Sequence, residues 1–182
     1  MRATGICALA GALLLAGCGG ERERSECGPA VRAGTDPRSS GSHAAGTTFL
    51  TAVRLEGAPC VDRVTFEFRA ETPEPPGFRA QYVPAGEALV EDGSGNRIDA
   101  EGSAFLVVRL EPAATADSSG DALVFTYTGP RRLRAEGTRR IREVVKSGDF
   151  EAVVTWVLAL SEERPFRILT SGSPPRVVVE VD

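Results

Sequence analysis

Asp62-Arg63-Val64-Thr65-Phe66-Glu67-Phe68 alternates apolar and polar side chains, so that Val64, Phe66 and Phe68 share one face of the segment. Because successive side chains of a β-strand point to opposite faces, this period of two predicts a strand with one buried face. The same alternation returns in four more segments, at 78–82, 106–110, 123–127 and 166–169. The chain is therefore expected to fold from short, half-buried strands.

Three further segments are interpreted as strands on different grounds. Ala152 to Leu160 is apolar on both faces and contains Trp156, which predicts a central strand that is covered on both sides. Arg176 to Val181 closes the chain with another apolar run. Arg139 to Lys146 fits the spacing of a helix about as well as that of a strand, and it is assigned here as a strand.

Turn-forming residues separate these segments. They are found at Pro73 to Gly77, Asp92 to Asn96, Asp117 to Asp121, Ser147 to Asp149 and Ser171 to Pro175. Short strands at such spacing predict an all-β domain, a compact two-sheet sandwich or a barrel-like fold. The expected core consists of Phe66, Phe68, Tyr82, Leu106, Val108, Phe125, Trp156, Phe166 and Val179.

The amino terminus has the pattern of an export signal. An apolar run at 6–15 follows the basic Arg2, and ten residues span only about 15 Å as a helix, against about 30 Å for a bilayer core. Leu15-Ala16-Gly17-Cys18 resembles the bacterial lipobox. We expect residues 1–17 to be a lipoprotein signal peptide that is removed, and Cys18 to carry the lipid that holds the protein on the extracytoplasmic face of the cell membrane. An ordinary secretory signal that happens to contain a cysteine is the alternative.

Residues 18–47 are expected to be a lipidated tether. Gly, Ser, Arg, Glu and Ala dominate the segment and Val31 is its only sizeable aliphatic residue, which predicts a solvated linker. Cys27 and Cys60 are the two cysteines that remain beyond the signal and the lipidation site. An oxidising compartment favours a disulfide between them, and two unpaired thiols are the alternative.

Five sequence segments, taken in their order and spacing, resemble those of a known family. They are Asp62 to Phe68, Pro75 to Val83, Gly148 to Glu151, Pro165 to Ile168 and Pro174 to Val181. Together they resemble the AMIN-like domain of small exported bacterial proteins, which is similar to the AMIN domains of cell-wall amidases and secretins. The resemblance covers residues 48–182 and implies a compact two-sheet β domain that is non-catalytic and holds envelope proteins at the cell wall.

The residue types needed for most catalytic sites are scarce. His43, the only histidine, lies in the predicted linker, which argues against a Ser-His triad and against histidine-bound zinc. Glu162 and Glu163 are the candidate acids for glycoside hydrolysis, but neighbouring acids in a loop are usually solvent-facing. A net charge of −4 provides no basic excess for nucleic acid. We expect neither an enzyme nor a bound cofactor.

Asp92 to Asp99 has the early spacing of a calcium loop, with oxygen-bearing side chains at alternate positions. The twelfth position is Ser103, where such a loop needs a bidentate acid. A hairpin connection, whose glycines adopt positive φ, is the favoured interpretation, and no metal site is predicted.

Four residues are candidate ligand contacts: Arg79, Tyr82, Arg131 and Arg132. The last two belong to the basic cluster at 131–140, which would suit an anionic lipid or an acidic wall polymer, although arginines on the wet side of a strand are common. Tyr82 would suit sugar stacking, as would Tyr127 and Trp156 if they are not buried.

These features favour a non-enzymatic, lipid-anchored envelope module that contacts peptidoglycan or another wall component. The alternative is a lipoprotein that binds a partner protein or a small apolar ligand. A polar groove with convergent arginine and aromatic side chains would favour the first function, and a contiguous apolar patch or an internal cavity would favour the second.

Overall fold

The computed structural model describes residues 33–41 and 44–182, and all regular structure in these residues is β. The predicted signal peptide, Cys18, Cys27 and His43 lie outside the described residues. In the described part of the chain, no helix is long and apolar enough to cross a membrane.

Thirteen strands follow one another in the described residues. They are β1 (Arg38–Ser40), β2 (Thr48–Gly57), β3 (Asp62–Arg69), β4 (Gly77–Tyr82), β5 (Ala104–Glu111), β6 (Ala113–Ala114), β7 (Ala116–Asp117), β8 (Val124–Phe125), β9 (Arg132–Leu133), β10 (Ile141–Phe150), β11 (Val153–Leu160), β12 (Phe166–Gly172) and β13 (Pro175–Val181). One sheet has the order β1-β4-β5-β11-β10-β9, a second has the order β12-β13-β3-β2-β6, and β7 pairs with β8. The predicted all-β, two-sheet architecture is confirmed.

The two larger sheets pack through their apolar faces. Val64, Phe66 and Phe68 of β3 are buried, as the alternation predicted, and they meet Trp156 and its neighbours from the six-stranded sheet. The Phe66 and Trp156 rings lie 5.9 Å apart and the Tyr127 ring meets the Trp156 ring edge-on at 5.7 Å. Alternation therefore places one apolar face of each sheet in a shared core.

β11 is the central strand that is covered on both sides, as predicted. Its inner face contributes Trp156 and Leu158 to the main core, and its outer face buries Val157. The cover on the outer face comes from residues 83–103, which supply Leu89 and Ile98 to a second small cluster with Val157. The loop 83–103 thus covers the outer face of the sheet, as helices do in other sheet folds.

Three local predictions are wrong. Arg38–Ser40, assigned to the linker, forms β1 and pairs with β4. Ser147 to Asp149, assigned as a turn, lies inside β10 at a β-bulge, and the turn is Glu151-Ala152 with φ of 49° and 59°. A two-residue connection with positive φ at both positions suits the twist of the flanking strands, so β10 continues to the very end of its hairpin.

The third error concerns 123–127, of which only Val124 and Phe125 are in a strand. Phe125, predicted to be in the core, is 65 % exposed. β8 pairs only with the two-residue β7, so neither large sheet covers its apolar side chains. Tyr127 is buried in its place.

Candidate functional site

A groove of about 840 Å³ lies on the outer face of the six-stranded sheet, where β1, β4 and β5 run side by side. Ala80 and Val108 of these strands point into the core, so the residues on either side of them face outward. The lining combines polar, glycine and apolar residues: Ser39, Ser40, Gly41, Gly77, Phe78, Arg79, Gln81, Val107, Arg109, Glu111 and Pro112. The groove depends on β1, because that strand forms one wall.

Arg79 on β4 and Arg109 on β5 both line this groove. The strand register pairs them directly, and Ser39 continues the same row on β1. Side chains in such pairs start from Cβ atoms about 4.5–5.5 Å apart, and two like charges in these positions repel. An anion bound between the two guanidinium groups would relieve this repulsion and accept hydrogen bonds from both.

The two arginines differ in what they already contact. Arg109 Nη1 lies 3.6 Å from Asp92 Oδ2, and the Thr155 hydroxyl donates a hydrogen bond of 2.6 Å to the same carboxylate oxygen. Arg79 Nε donates a bond of 3.3 Å to the neutral amide oxygen of Gln81. Loop 83–103, through Asp92, thus positions Arg109, whereas the guanidinium group of Arg79 is held by a neutral side chain.

Tyr82 lies outside the groove, although it was a candidate contact. Its hydroxyl donates to the Arg164 carbonyl oxygen at 2.7 Å and accepts from the Arg164 amide at 3.1 Å. Its ring packs edge-on against Phe166 at 5.8 Å. Burial raises the pKa of Tyr82, and the hydrogen bond with the Arg164 backbone opposes that rise. Tyr82 therefore ties the end of β4 to the loop before β12.

Arg131 and Arg132 also lie outside the groove, beside loop 83–103, where acids face them. Arg131 Nη2 lies 2.9 Å from Glu91 Oε1. Arg132 Nη1 lies 2.6 Å from Glu143 Oε1, and its Nη2 donates to the Asp99 carbonyl oxygen at 2.8 Å. Arg131 and Arg132 thus form ion pairs with acids of their own domain.

Glu143 is the centre of this ion-pair group, and its side chain is fully buried. Burial acts to raise the pKa of Glu143, but hydrogen bonds from Arg132, from the Glu101 amide and from Arg134 outweigh it and lower the pKa. A buried carboxylate that is kept ionised by two arginines fixes β9 against β10. Its role is to hold the fold.

Arg139 and Arg140, the other two adjacent arginines of the cluster, lie beside a second buried acid, Asp62. Asp62 Oδ2 accepts hydrogen bonds from the backbone amides of Arg139, Arg140 and Ile141 at 2.9, 2.6 and 2.9 Å. Arg140 Nη2 also donates to the Cys60 carbonyl oxygen at 2.9 Å. Asp62 begins β3 of one sheet and Ile141 begins β10 of the other, so this contact joins the two sheets.

The remaining candidates take structural positions. Trp156 is fully buried, and Tyr127 donates its hydroxyl hydrogen to the Pro130 carbonyl oxygen at 2.7 Å. Glu162 is exposed and forms an ion pair with Arg164. Asp92 to Asn96 forms the hairpin turn, in which Glu91 N donates to Asn96 O at 2.8 Å. Among the described residues, no group of three His, Cys, Asp or Glu side chains is arranged to hold a metal ion.

Arg109 and Ser39 are site residues that sequence reasoning did not single out. The alternation in 106–110 places Arg109 on an outward face, so its exposure was readable from the sequence. Its position opposite Arg79 was not, because that depends on which strands are neighbours.

Comparison with models of known protein families matches residues 48–182 to the AMIN-like domain. No curated protein and no solved structure matches the chain. The matched range begins at Thr48, the first residue of β2, and includes Arg79 and Arg109 but not β1.

Proposed function

Because the chain belongs to the AMIN-like domain family, we propose that it is a non-catalytic envelope module that contacts peptidoglycan through the groove formed by β1, β4 and β5. The family suggests a peptidoglycan-associated binding module. The groove supports the same function in this chain, because it holds two directly paired arginines, of which Arg109 lies near the carboxylate of Asp92 and Arg79 bonds to the neutral Gln81.

The observation that carries the proposal is the direct pairing of Arg79 with Arg109 on an open surface. Hydroxyl groups of Ser39 and Ser40 and the amide of Gln81 surround the pair. Guanidinium groups provide several donors in fixed directions, and serine and glutamine provide adaptable ones. These donors suit a polymer that bears acidic groups.

The protein purified from the producing cells is expected to sediment with purified sacculi and to release no muropeptides from them. Weak polar contacts give a Kd in the micromolar range or weaker. Arg79→Ala removes the guanidinium group that bonds to the neutral Gln81, and we expect at least about tenfold weaker binding. Added salt should also weaken binding, because exposed charges are screened within about 8 Å at physiological ionic strength.

Arg142→Ala is the matched control, because Arg142 is also exposed but does not line the groove. It should sediment with sacculi as the unchanged protein does. Equal loss in both variants would indicate a non-specific effect of charge, and muropeptide release by the unchanged protein would overturn the non-enzymatic part of the proposal.

The alternative function, binding of a partner protein, is favoured by one observation. Leu123, Val124 and Phe125 are 59, 57 and 65 % exposed in succession at the β7–β8 hairpin. Contiguous exposed apolar residues often mark a contact surface. A photo-reactive residue placed at position 125 should then crosslink to one envelope protein in cells, and a crosslink to none would remove this alternative.

We further propose that Cys18 anchors the module to the membrane as a lipidated first residue. The support is the lipobox-like Leu15-Ala16-Gly17-Cys18, which lies outside the described residues. Mass spectrometry of the mature amino terminus is expected to find a diacylated or triacylated Cys18, and Cys18→Ala should leave the chain unlipidated. An unmodified terminus at another residue of the native protein would contradict the anchor.

The disulfide between Cys27 and Cys60 is likewise a proposal, and the fold sets a distance limit that it meets. Gly34 pairs with Phe166, Phe166 with Val181, and Val181 with Asp62. Three steps between strands of about 4.8 Å place Gly34 about 14 Å from Asp62, which Cys60 precedes by two residues. Seven residue steps from Cys27 to Gly34 reach at most about 24 Å, so the bridge is sterically accessible.

Alkylation of the unfolded protein before reduction is expected to label neither cysteine, and reduction should lower the melting temperature. Closing a loop of this length contributes about 3–4 kcal/mol on the chain-entropy estimate. Full labelling of both residues before reduction would show that no bridge forms.

A further inference from the structure

The charges in the groove are arranged for a particular kind of anion. Arg79 and Arg109 occupy directly paired positions on β4 and β5, and Glu111 lies on the same face two residues further along β5. Asp92 partly neutralises Arg109 from the loop side. The groove therefore presents a small positive centre beside a negative rim, rather than a broad basic surface.

We propose that this centre binds a carboxylate of the peptide part of the wall polymer, held between Arg79 and Arg109. The inference rests on the proposed function and specifies which portion of peptidoglycan the groove recognises. A carboxylate is planar, carries a single charge and matches the forked donors of a guanidinium group. The row of Ser39, Arg79 and Arg109 across three strands gives this anion donors from both sides.

Within the groove, recognition through sugar rings is disfavoured by where the aromatic residues lie. Sugar-binding surfaces commonly use an exposed aromatic face, which is apolar on one side and wet at its edge. Trp156 is fully buried, Tyr127 packs against it, and Tyr82 is committed to Arg164. Phe78 lines the groove but also packs against the core. The groove is thus richer in donors for an acid than in stacking faces for a glycan.

A doubly charged phosphate group is disfavoured by Glu111. Its side chain is exposed in the groove, and the register places it opposite Gly77, diagonal to Arg79. Diagonal neighbours on paired strands are about 7–8 Å apart, so Glu111 repels an anion in the groove, and this repulsion grows with the negative charge of the anion. A carboxylate carries one negative charge, so Glu111 repels it less than it repels a doubly charged phosphate.

Binding to two preparations of sacculi tests the proposal. In one preparation the peptide carboxylates are converted to amides with a carbodiimide and ammonium, and the other is mock-treated. The purified protein is expected to bind the amidated preparation about tenfold to a hundredfold more weakly than the mock-treated one. Arg79→Lys keeps the charge but loses the fork, so it should bind mock-treated sacculi more weakly than the unchanged protein does.

Soluble probes separate this inference from the proposed function. Acetyl-alanyl-alanine with a free carboxylate should shift the amide resonances of β4 and β5 on titration, while its carboxamide and inorganic phosphate should not. Glu111→Gln should allow phosphate to bind, and Arg142→Gln should change nothing. If the protein binds both sacculus preparations equally, the carboxylate inference is wrong and the proposed function stands. If it binds neither preparation, the proposed function is wrong, and the peptide titration alone decides whether the carboxylate site exists.

Discussion

Replacing Trp156 with alanine is expected to destabilise the domain by about 3–5 kcal/mol, as large-to-small substitutions of buried aromatic residues do. Trp156 is fully buried at the centre of β11, where its ring meets Phe66 from the opposite sheet and Tyr127 from the segment after β8. Its removal leaves a cavity that both sheets line, and two sheets held by long strand ladders cannot easily close it. Urea unfolding followed by circular dichroism measures the loss.

Phe125→Ala is the matched control for this substitution. Phe125 is also aromatic but is 65 % exposed on β8, so its truncation should change the free energy of unfolding by no more than about 0.5 kcal/mol. A cost for Trp156→Ala that is as small as that of the control would mean that Trp156 is not in the core. A large cost for Phe125→Ala would instead show that the hairpin is covered in the folded protein.

The pattern that predicted the sheets is reliable because it follows from strand geometry alone. Val64, Phe66 and Phe68 share a face in any strand, and a sheet with one apolar face must cover it. The doubly apolar β11 was recognisable for the same reason, since both faces of a central strand need apolar cover. Turn residues then mark where one strand ends and the next begins.

The same pattern failed at 123–127, and the failure has a physical cause. Alternation tells which residues share a face, but it does not tell whether another part of the chain covers that face. Phe125 alternates as Phe66 does, yet β8 pairs with a strand of two residues and lies outside both large sheets. Its exposure depends on the tertiary arrangement, which a local period cannot encode.

The candidate site was only partly predictable for a related reason. Arg79 was identified, but its partner Arg109 lies thirty residues later and becomes a neighbour only through the β4–β5 register. Arg131 and Arg132 stood out as a basic cluster, yet Glu91 and Glu143 neutralise them from other segments. Charge runs in a sequence therefore overstate the positive surface whenever the fold supplies acids from a distance.

Asp62 is expected to contribute as much stability as a large core residue, although it is a charged group. Its carboxylate is fully buried, and one oxygen accepts three backbone amide hydrogen bonds from 139–141. Asp62→Ala leaves these three backbone donors without their acceptor. Each unsatisfied buried donor costs about 1–3 kcal/mol, so we expect a total loss of about 3–5 kcal/mol.

Asp62→Asn separates the two contributions to this loss, because the amide keeps an acceptor oxygen but removes the charge that faces Arg140, whose Nη1 lies 3.7 Å from Asp62 Oδ1. It should fall between the unchanged protein and the alanine variant in urea unfolding. Asp121→Ala, at an exposed position in the β7–β8 hairpin, should leave stability unchanged. Hydrogen exchange at the amides of Arg140 and Ile141 reports the contact directly. The Asp62→Ala substitution should accelerate exchange of these two protons more than exchange of the amide protons of β3. Unchanged exchange at both amides would mean that the carboxylate does not join the two sheets.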